Sequence, residues 1–376
     1  MPGYTLCIPF AAVVWQDFMA EILLQELSNT DIDWMVASGQ REEIAAGTIL
    51  IKACQDTTAV YLLLEGTLDL LVPLTKTAAL DVVTTHSHRP IVQLSRGEII
   101  GEAALFNFCS MPAMVRATEN VRVLAIPLSQ LQEKLAQDMG FSAHFYRAIA
   151  LILSNRLREI SKVAGQIQLT HKKPLKDALF VFAELRDSDV DWLMTVGKLE
   201  KLAAGKVLIH AGRPVDALYL VLDGLLSVGI PQIDCDPLSL CFQGLEKQNI
   251  AQKIISYFSR GEIAGALSAL DLRPFPTTIQ ATKETLVLAV PRHALAAKLE
   301  QDLSFATRFY RVIVIQLLNI VQTVMNQLGC DQQMYTQDQA LDEEMEYDDE
   351  LCLTSLTQLS QGAARFNWML KRLGVV

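Results

Sequence analysis

Two stretches of this chain repeat one another, and that duplication restricts the fold more than any other feature. Leu27, Asp31, Asp33, Trp34, Gly39, Ala45, Ala46, Gly47, Leu50, Ile51, Tyr61, Gly66 and Pro73 recur 158 positions later. They return as Leu185, Asp189, Asp191, Trp192, Gly197, Ala203, Ala204, Gly205, Leu208, Ile209, Tyr219, Gly224 and Pro231. The match resumes at an offset of 164, where Arg96-Gly97-Glu98-Ile99 recurs as Arg260-Gly261-Glu262-Ile263. Gly101 then pairs with Gly265, Ala117 with Ala281, Pro127 with Pro291, and Phe145-Tyr146-Arg147 with Phe309-Tyr310-Arg311. The change of offset places a six-residue loop insertion between Pro231 and Arg260. A period of about 160 is too long for a solenoid, so the chain holds two homologous domains.

Each copy has the same layout. A short helix opens it with first-turn acids, Asp31 and Asp33 or Asp189 and Asp191. Short strands follow, broken by glycines that permit positive φ, such as Gly47 and Gly66. Helical sequence closes each copy, from Leu128 to about Lys162 and from Arg292 to about Leu328. The expected class is mainly β with flanking α: two tandem β-rolls of the jelly-roll kind with terminal helices. The segment Val312–Leu318 is apolar round most of a helix, so it is buried either inside the protomer or against a second copy, and a homodimer is a plausible assembly. The expected boundaries are an N-terminal segment 1–19, domains at 20–163 and 178–329 with a linker 164–177, an acidic linker 330–350 and a C-terminal helix in 351–376.

Composition excludes several classes. With 51% hydrophobic and 20% charged residues in 376, the chain is neither disordered nor a small disulfide scaffold. Its net charge of -10 repels a phosphate backbone, so no nucleic-acid partner is expected. No apolar run reaches about 18 residues and no basic segment leads into an apolar one at the N-terminus, so neither membrane insertion nor a signal peptide is expected. These features point to a cytoplasmic protein. The seven cysteines are an odd number without CxxC spacing and read as reduced core thiols. His86 and His88 lack a third ligand nearby, so no metal is expected. The chain has no Walker loop, GxSxG, HExxH or dinucleotide fingerprint; it reads as non-enzymatic, without catalytic residues or a cofactor.

Strand, Gly-turn, strand, a Gly-Glu-Ile turn into a short helix, an Ala-rich strand and long terminal helices resemble the cyclic nucleotide-binding domain superfamily. The tandem arrangement is similar to regulatory subunits of cAMP-dependent protein kinase. This resemblance covers about residues 20–163 and 178–329. It implies a phosphate-binding cassette in which a Glu accepts from the ribose hydroxyl, helix amides face the cyclic phosphate, and an Arg supplies two charge-assisted donors. The residues that would line a retained site are Gly97, Gly101, Glu102, Ala103 and Met111 in the first copy. In the second they are Gly265, Ala266, Arg273 and Phe275. The first copy keeps the acid as Glu102 but has Met111 at the Arg position; the second has Ala266 for the acid and Phe275 for the Arg. A buried phosphate without its cation loses a charged hydrogen bond of roughly 1.5–3 kcal/mol. The altered cassettes are open to three readings: pockets filled by their own side chains, pockets for an apolar ligand, or surfaces for a partner's side chain.

The chain ends differently. Residues 331–376 hold nine acids and three bases, with the acids concentrated in Asp342–Glu350. Leu356, Leu359, Ala363, Phe366, Leu370 and Leu373 then share one helical face, with Arg365, Lys371 and Arg372 toward its end. That helix either folds back on its own domain or docks on a partner through Leu356, Leu359, Phe366, Leu370 and Leu373. The acidic segment and its single helix do not resemble a DNA-reading helix-turn-helix. The expectation is a regulatory or scaffolding protein acting through unidentified protein partners. The alternative is a sensor binding a cyclic nucleotide or another small molecule in the first domain and signalling through its C-terminal helices.

Overall fold

A computed structural model of the protein describes residues 21–53, 55, 57–73, 88–106, 112–166, 180–231, 252–271, 273, 277–328 and 353–375. The chain divides into two compact units, residues 1–156 and 157–376, the division falling inside the last helix of the first copy.

The first unit opens with α1 (residues 21–26), α2 (Asn29–Ser38), β1 (Gln40–Ile44), β2 (Ile49–Ile51), β3 (Ala59–Glu65), β4 (Leu68–Pro73) and β5 (His88–Leu94). It continues with β6 (Ile99–Ile100), a 3-10 turn Glu102–Phe106, β7 (Met114–Ala117), β8 (Val121–Pro127), α3 (Leu128–Gln137) and α4 (Met139–Gln166). The strands form two antiparallel four-stranded sheets, β1-β8-β3-β6 and β2-β7-β4-β5. Leu63, Leu68, Val72, Leu94, Ile99 and Val123 are nearly inaccessible and make the core of the roll. Both Phe141 and Phe145, from the start of α4, are also buried, with Trp34 of α2 edge-on to Phe141.

The second unit repeats this plan with α5 (Phe180–Glu184), α6 (Asp187–Val196), β9 (Lys198–Leu202), β10 (Val207–Ile209), β11 (Ala217–Asp223), β12 (Leu226–Pro231) and β13 (Gln252–Phe258). It ends with β14 (Ile263–Ala264), α7 (Ala266–Asp271), β15 (Thr278–Ala281), β16 (Thr285–Pro291), α8 (Arg292–Gln301), α9 (Leu303–Leu328) and α10 (Leu353–Arg372). Its sheets, β14-β11-β16-β9 and β10-β15-β12-β13, have the strand order of the first unit. Even the bulge is repeated, between Leu63 and Glu65 in β3 and between Val221 and Asp223 in β11. Two mainly antiparallel β-rolls with flanking helices are therefore the observed architecture.

The acids of the opening helices do more than complement a dipole. Asp31 accepts from the Ser28 backbone amide, closing a capping box. It also meets Nδ1 of His144 at 2.9 Å, which ties α2 to α4. Burial works against the Asp31 carboxylate, but bonds from His144 and Ser28 outweigh it and hold its pKa below the ordinary value. The second unit makes the same tie with a stronger cation: Arg308 grips Asp189 through Nε at 2.6 Å and Nη2 at 2.8 Å.

Helix α9 contains the Val312–Leu318 segment. Val312, Ile313, Val314, Leu317 and Leu318 are all buried within the second unit, so the apolar circumference is satisfied inside the protomer. By length and composition, Leu303–Asn326 could cross a membrane, but most of it is buried core.

The C-terminal helix also folds back. Phe366 and Leu370 are buried and Leu373 is half-buried, with α10 lying on α5. Phe366 meets Phe182 edge-on at 4.7 Å between ring centroids. Of the face expected to dock on a partner, Phe366 and Leu370 thus belong to the core of the same unit, because α5 offers an aromatic surface that α10 covers. Leu356 and Leu359 fall in α10, but their side chains lie outside the described residues.

Candidate functional site

In each copy a tight turn joins the two-residue strand to the short helix, and a glycine makes it possible. Gly101 has φ +85° and Gly265 φ +86°. A Cβ on Gly101 would stand 3.0 Å from the Ala59 carbonyl oxygen, so both backbone sign and space exclude a side chain. The earlier turn glycine, Gly97, has φ +90°, and its amide donates to the Leu63 carbonyl at 2.9 Å.

Beside Gly101 the first unit has a cavity of about 80 Å³, lined among others by Lys52, Thr57, Glu102, Ala103 and Arg156. Arg156 comes from α4, 54 residues beyond Glu102. Its Nη1 donates to Oε1 of Glu102 at 2.7 Å, and its Nη2 to Oε2 of Glu98 at 3.2 Å and to the Ile99 carbonyl at 2.8 Å. All three charged side chains are buried. Glu98 also accepts from the Ser95 amide at 3.3 Å, holding the turn that presents Gly97. Burial pushes the Glu98 carboxyl above the ordinary range despite the Arg156 charge beside it. Burial opposes the Arg156 cation as well, but Glu102 and Glu98 outweigh it and raise its pKa.

This guanidinium is what reading the cassette alone missed. The cassette brings no cation at Met111, a residue outside the described ones, but the last helix supplies one. Two carboxylates surround it, so the charge of this guanidinium is already met; the other cation among the described lining residues is Lys52. The sequence held one signal of the pairing. At the offset of 164, Glu102 corresponds to Ala266 and Arg156 to Ile320, so the two copies differ at both ends of the same contact.

The second unit shows the consequence. Its cavity, about 50 Å³, is lined by Ile209, Val215, Ile263, Ala266, Gln316 and Ile320 among others, and among the described residues none of the lining side chains is charged. The carbonyl that Arg156 serves in the first copy is served here by Gln316, one helical turn earlier. Its Nε2 donates to the Ile263 carbonyl at 2.6 Å, and its Oε1 accepts from the Ile263 amide at 2.9 Å. Arg273 is not among the lining residues, and Phe275 lies outside the described ones. The structure therefore gathers Gly101, Glu102 and Ala103 around one cradle and Gly265 and Ala266 around the other.

The cyclic nucleotide-binding domain model matches the chain twice, at residues 41–138 and 199–302. The chain belongs to the cyclic nucleotide-binding domain family. Solved structures with similar folds include the regulatory domain of Toxoplasma gondii PKA with cAMP, at 13% identity and TM-score 0.27, covering 79% of this chain and 95% of that one. Another is the regulatory subunit of a cAMP-independent protein kinase A from Trypanosoma cruzi bound to guanosine, at 14% identity and TM-score 0.27, covering 77% and 85%. The Thermus thermophilus catabolite activator protein matches at 18% identity and TM-score 0.30, covering 48% of this chain and 75% of its own. Among curated proteins none matches the chain. The protein is thus a tandem of two cyclic nucleotide-binding domains.

Proposed function

We propose that the protein is a non-catalytic regulatory adaptor whose two cyclic nucleotide-binding folds work through protein contacts and not as receptors for a cyclic phosphate. The observation that carries this reading is the Glu102–Arg156 pair together with its joint replacement by Ala266 and Ile320. In the first cradle the acid suited to a ribose hydroxyl already accepts from a buried guanidinium. That guanidinium already serves two carboxylates and a carbonyl. A phosphate entering there must displace charged hydrogen bonds of roughly 1.5–3 kcal/mol each while adding a negative charge. In the second cradle no lining side chain among the described residues could neutralise it.

Thermal unfolding with and without millimolar cAMP, cGMP and cyclic dinucleotides tests this. A ligand at about 100 times its dissociation constant adds near 2.7 kcal/mol and a visible rise in Tm. The expected result is no rise with any of them; a rise overturns the reading. One observation favours a second reading, in which the first unit is a sensor: Arg156 brings a cation into that cradle, and its Nε is buried without a hydrogen-bond partner. That version predicts a Tm rise that disappears in Arg156→Met.

A further inference from the structure

The duplication supplies two copies of one platform, and among the described residues only the second copy is covered by a further helix. In the second unit α10 lies on α5 and α6. Phe366 rests on Phe182, Nη1 of Arg365 donates to the Phe182 carbonyl at 2.6 Å, and its Nε to Asp187 at 2.6 Å. Arg372 pairs with Asp191, while Arg260 stands 5.0 Å over the Phe366 ring. Under this helix Phe182 is 0% exposed.

The first unit carries the same platform on α1 and α2. Leu24 corresponds to Phe182, Asn29 to Asp187, Asp33 to Asp191, and Arg96 to Arg260. Ile22, Leu23 and Leu27 hold α1 onto its unit, but Leu24 points outward and is 68% exposed. Val36, one turn beyond Asp33 on α2, is 49% exposed, and Asp33 and Arg96 are exposed too. In unit 1 this leucine surface stays in contact with water.

We propose that the exposed platform of unit 1, centred on Leu24, docks an amphipathic helix of a partner protein with the chemistry of α10. A large apolar or aromatic side chain sits on Leu24 beneath Arg96, and arginines reach the carbonyl end of α1 and Asp33. Two occupants from this chain fit less well. The α10 of a second copy has a better site at home, where Phe182 and Asp187 replace Leu24 and Asn29 and the tether keeps its effective concentration high. The first 19 residues hold Asp17 but no Lys or Arg, so they lack the cation that Asp33 and the helix carbonyls call for. The proposal gives the adaptor reading its surface and rests on it for purpose. Its test reads helix binding and not nucleotide binding, so either can fail alone.

A fluorescent peptide of residues 353–376, added to the full-length protein and followed by anisotropy, stands in for the partner helix. Saturable binding of one peptide per chain is expected. Leu24→Glu should weaken it at least about tenfold without moving the Tm, since Leu24 is exposed. Replacing Phe366 by Ala in the peptide should weaken it comparably. Absence of binding, or binding unchanged by Leu24→Glu and therefore exchanged into the second unit, overturns the proposal. So does a homodimer in light scattering that Leu24→Glu dissociates, which makes a second copy the occupant. Tight binding that appears only after residues 1–19 are removed assigns the platform to that segment and also overturns it.

Discussion

Replacing Arg156 by isoleucine, the residue of the second copy, leaves Glu98 and Glu102 buried without their cation. Their side chains are 6% and 7% exposed, so water cannot substitute for the guanidinium. Removing one partner of a buried pair costs about 3–5 kcal/mol, because the remaining charge stays desolvated. Glu98 keeps its bond from the Ser95 amide and already has a raised pKa, so it relaxes by taking up a proton. Glu102 loses its 2.7 Å bond from the guanidinium. Adding Glu102→Ala removes that carboxylate, and adding Ile152→Gln installs the counterpart of Gln316 to serve the Ile99 carbonyl. The double variant should recover at least about 2 kcal/mol of the loss, and the triple variant more. Hydrogen exchange of peptides covering residues 98–106 and 145–156 reads this locally, which matters because a two-domain chain has no single unfolding free energy. Arg156→Ile should lower protection there by about a hundred- to several-thousand-fold. A loss under about tenfold, or a double variant no better than the single, refutes the account of the cradle as a charge cluster satisfied from within.

Phe366→Ala should cost the second unit about 3–5 kcal/mol, since the ring is fully buried between Phe182 and Arg260. Limited trypsin digestion should then cut after Arg365 and Lys371 while the parent resists. Asp31→Asn should destabilise the first unit by about 1 kcal/mol at neutral pH by weakening the capping box and the His144 tie. The folded pKa of Asp31 is depressed, so its contribution is fully present above about pH 4 and is lost as pH falls through the folded value. The difference between parent and Asp31→Asn in urea melts should therefore shrink as the pH drops below about 4; a difference constant with pH contradicts the assignment.

Much of the cradle was legible in the sequence because its backbone is. Positive φ at Gly101 and Gly265 follows from glycine in a turn shared by both copies, and Glu102 stands where the fold sets an acid. Arg156 was not legible in the same way. In a helical run it is one more arginine, and nothing in its periodicity shows that it is buried against residues 54 and 58 positions earlier. Only the parallel exchange of Glu102 for Ala266 and Arg156 for Ile320 hinted at it.

The sequence by itself determined that there are two domains, where their strands turn and which faces are apolar, because local periodicity, glycine geometry and internal repetition are written along the chain. Tertiary structure alone decided what those faces meet. The spacing of Phe366 and Leu370 showed a helix with one apolar side, but the choice of its own α5 over a partner depended on Phe182, more than 180 residues away. Contacts between distant segments are settled by which surfaces exclude water together, and that is a property of the folded ensemble, not of the local order of residues.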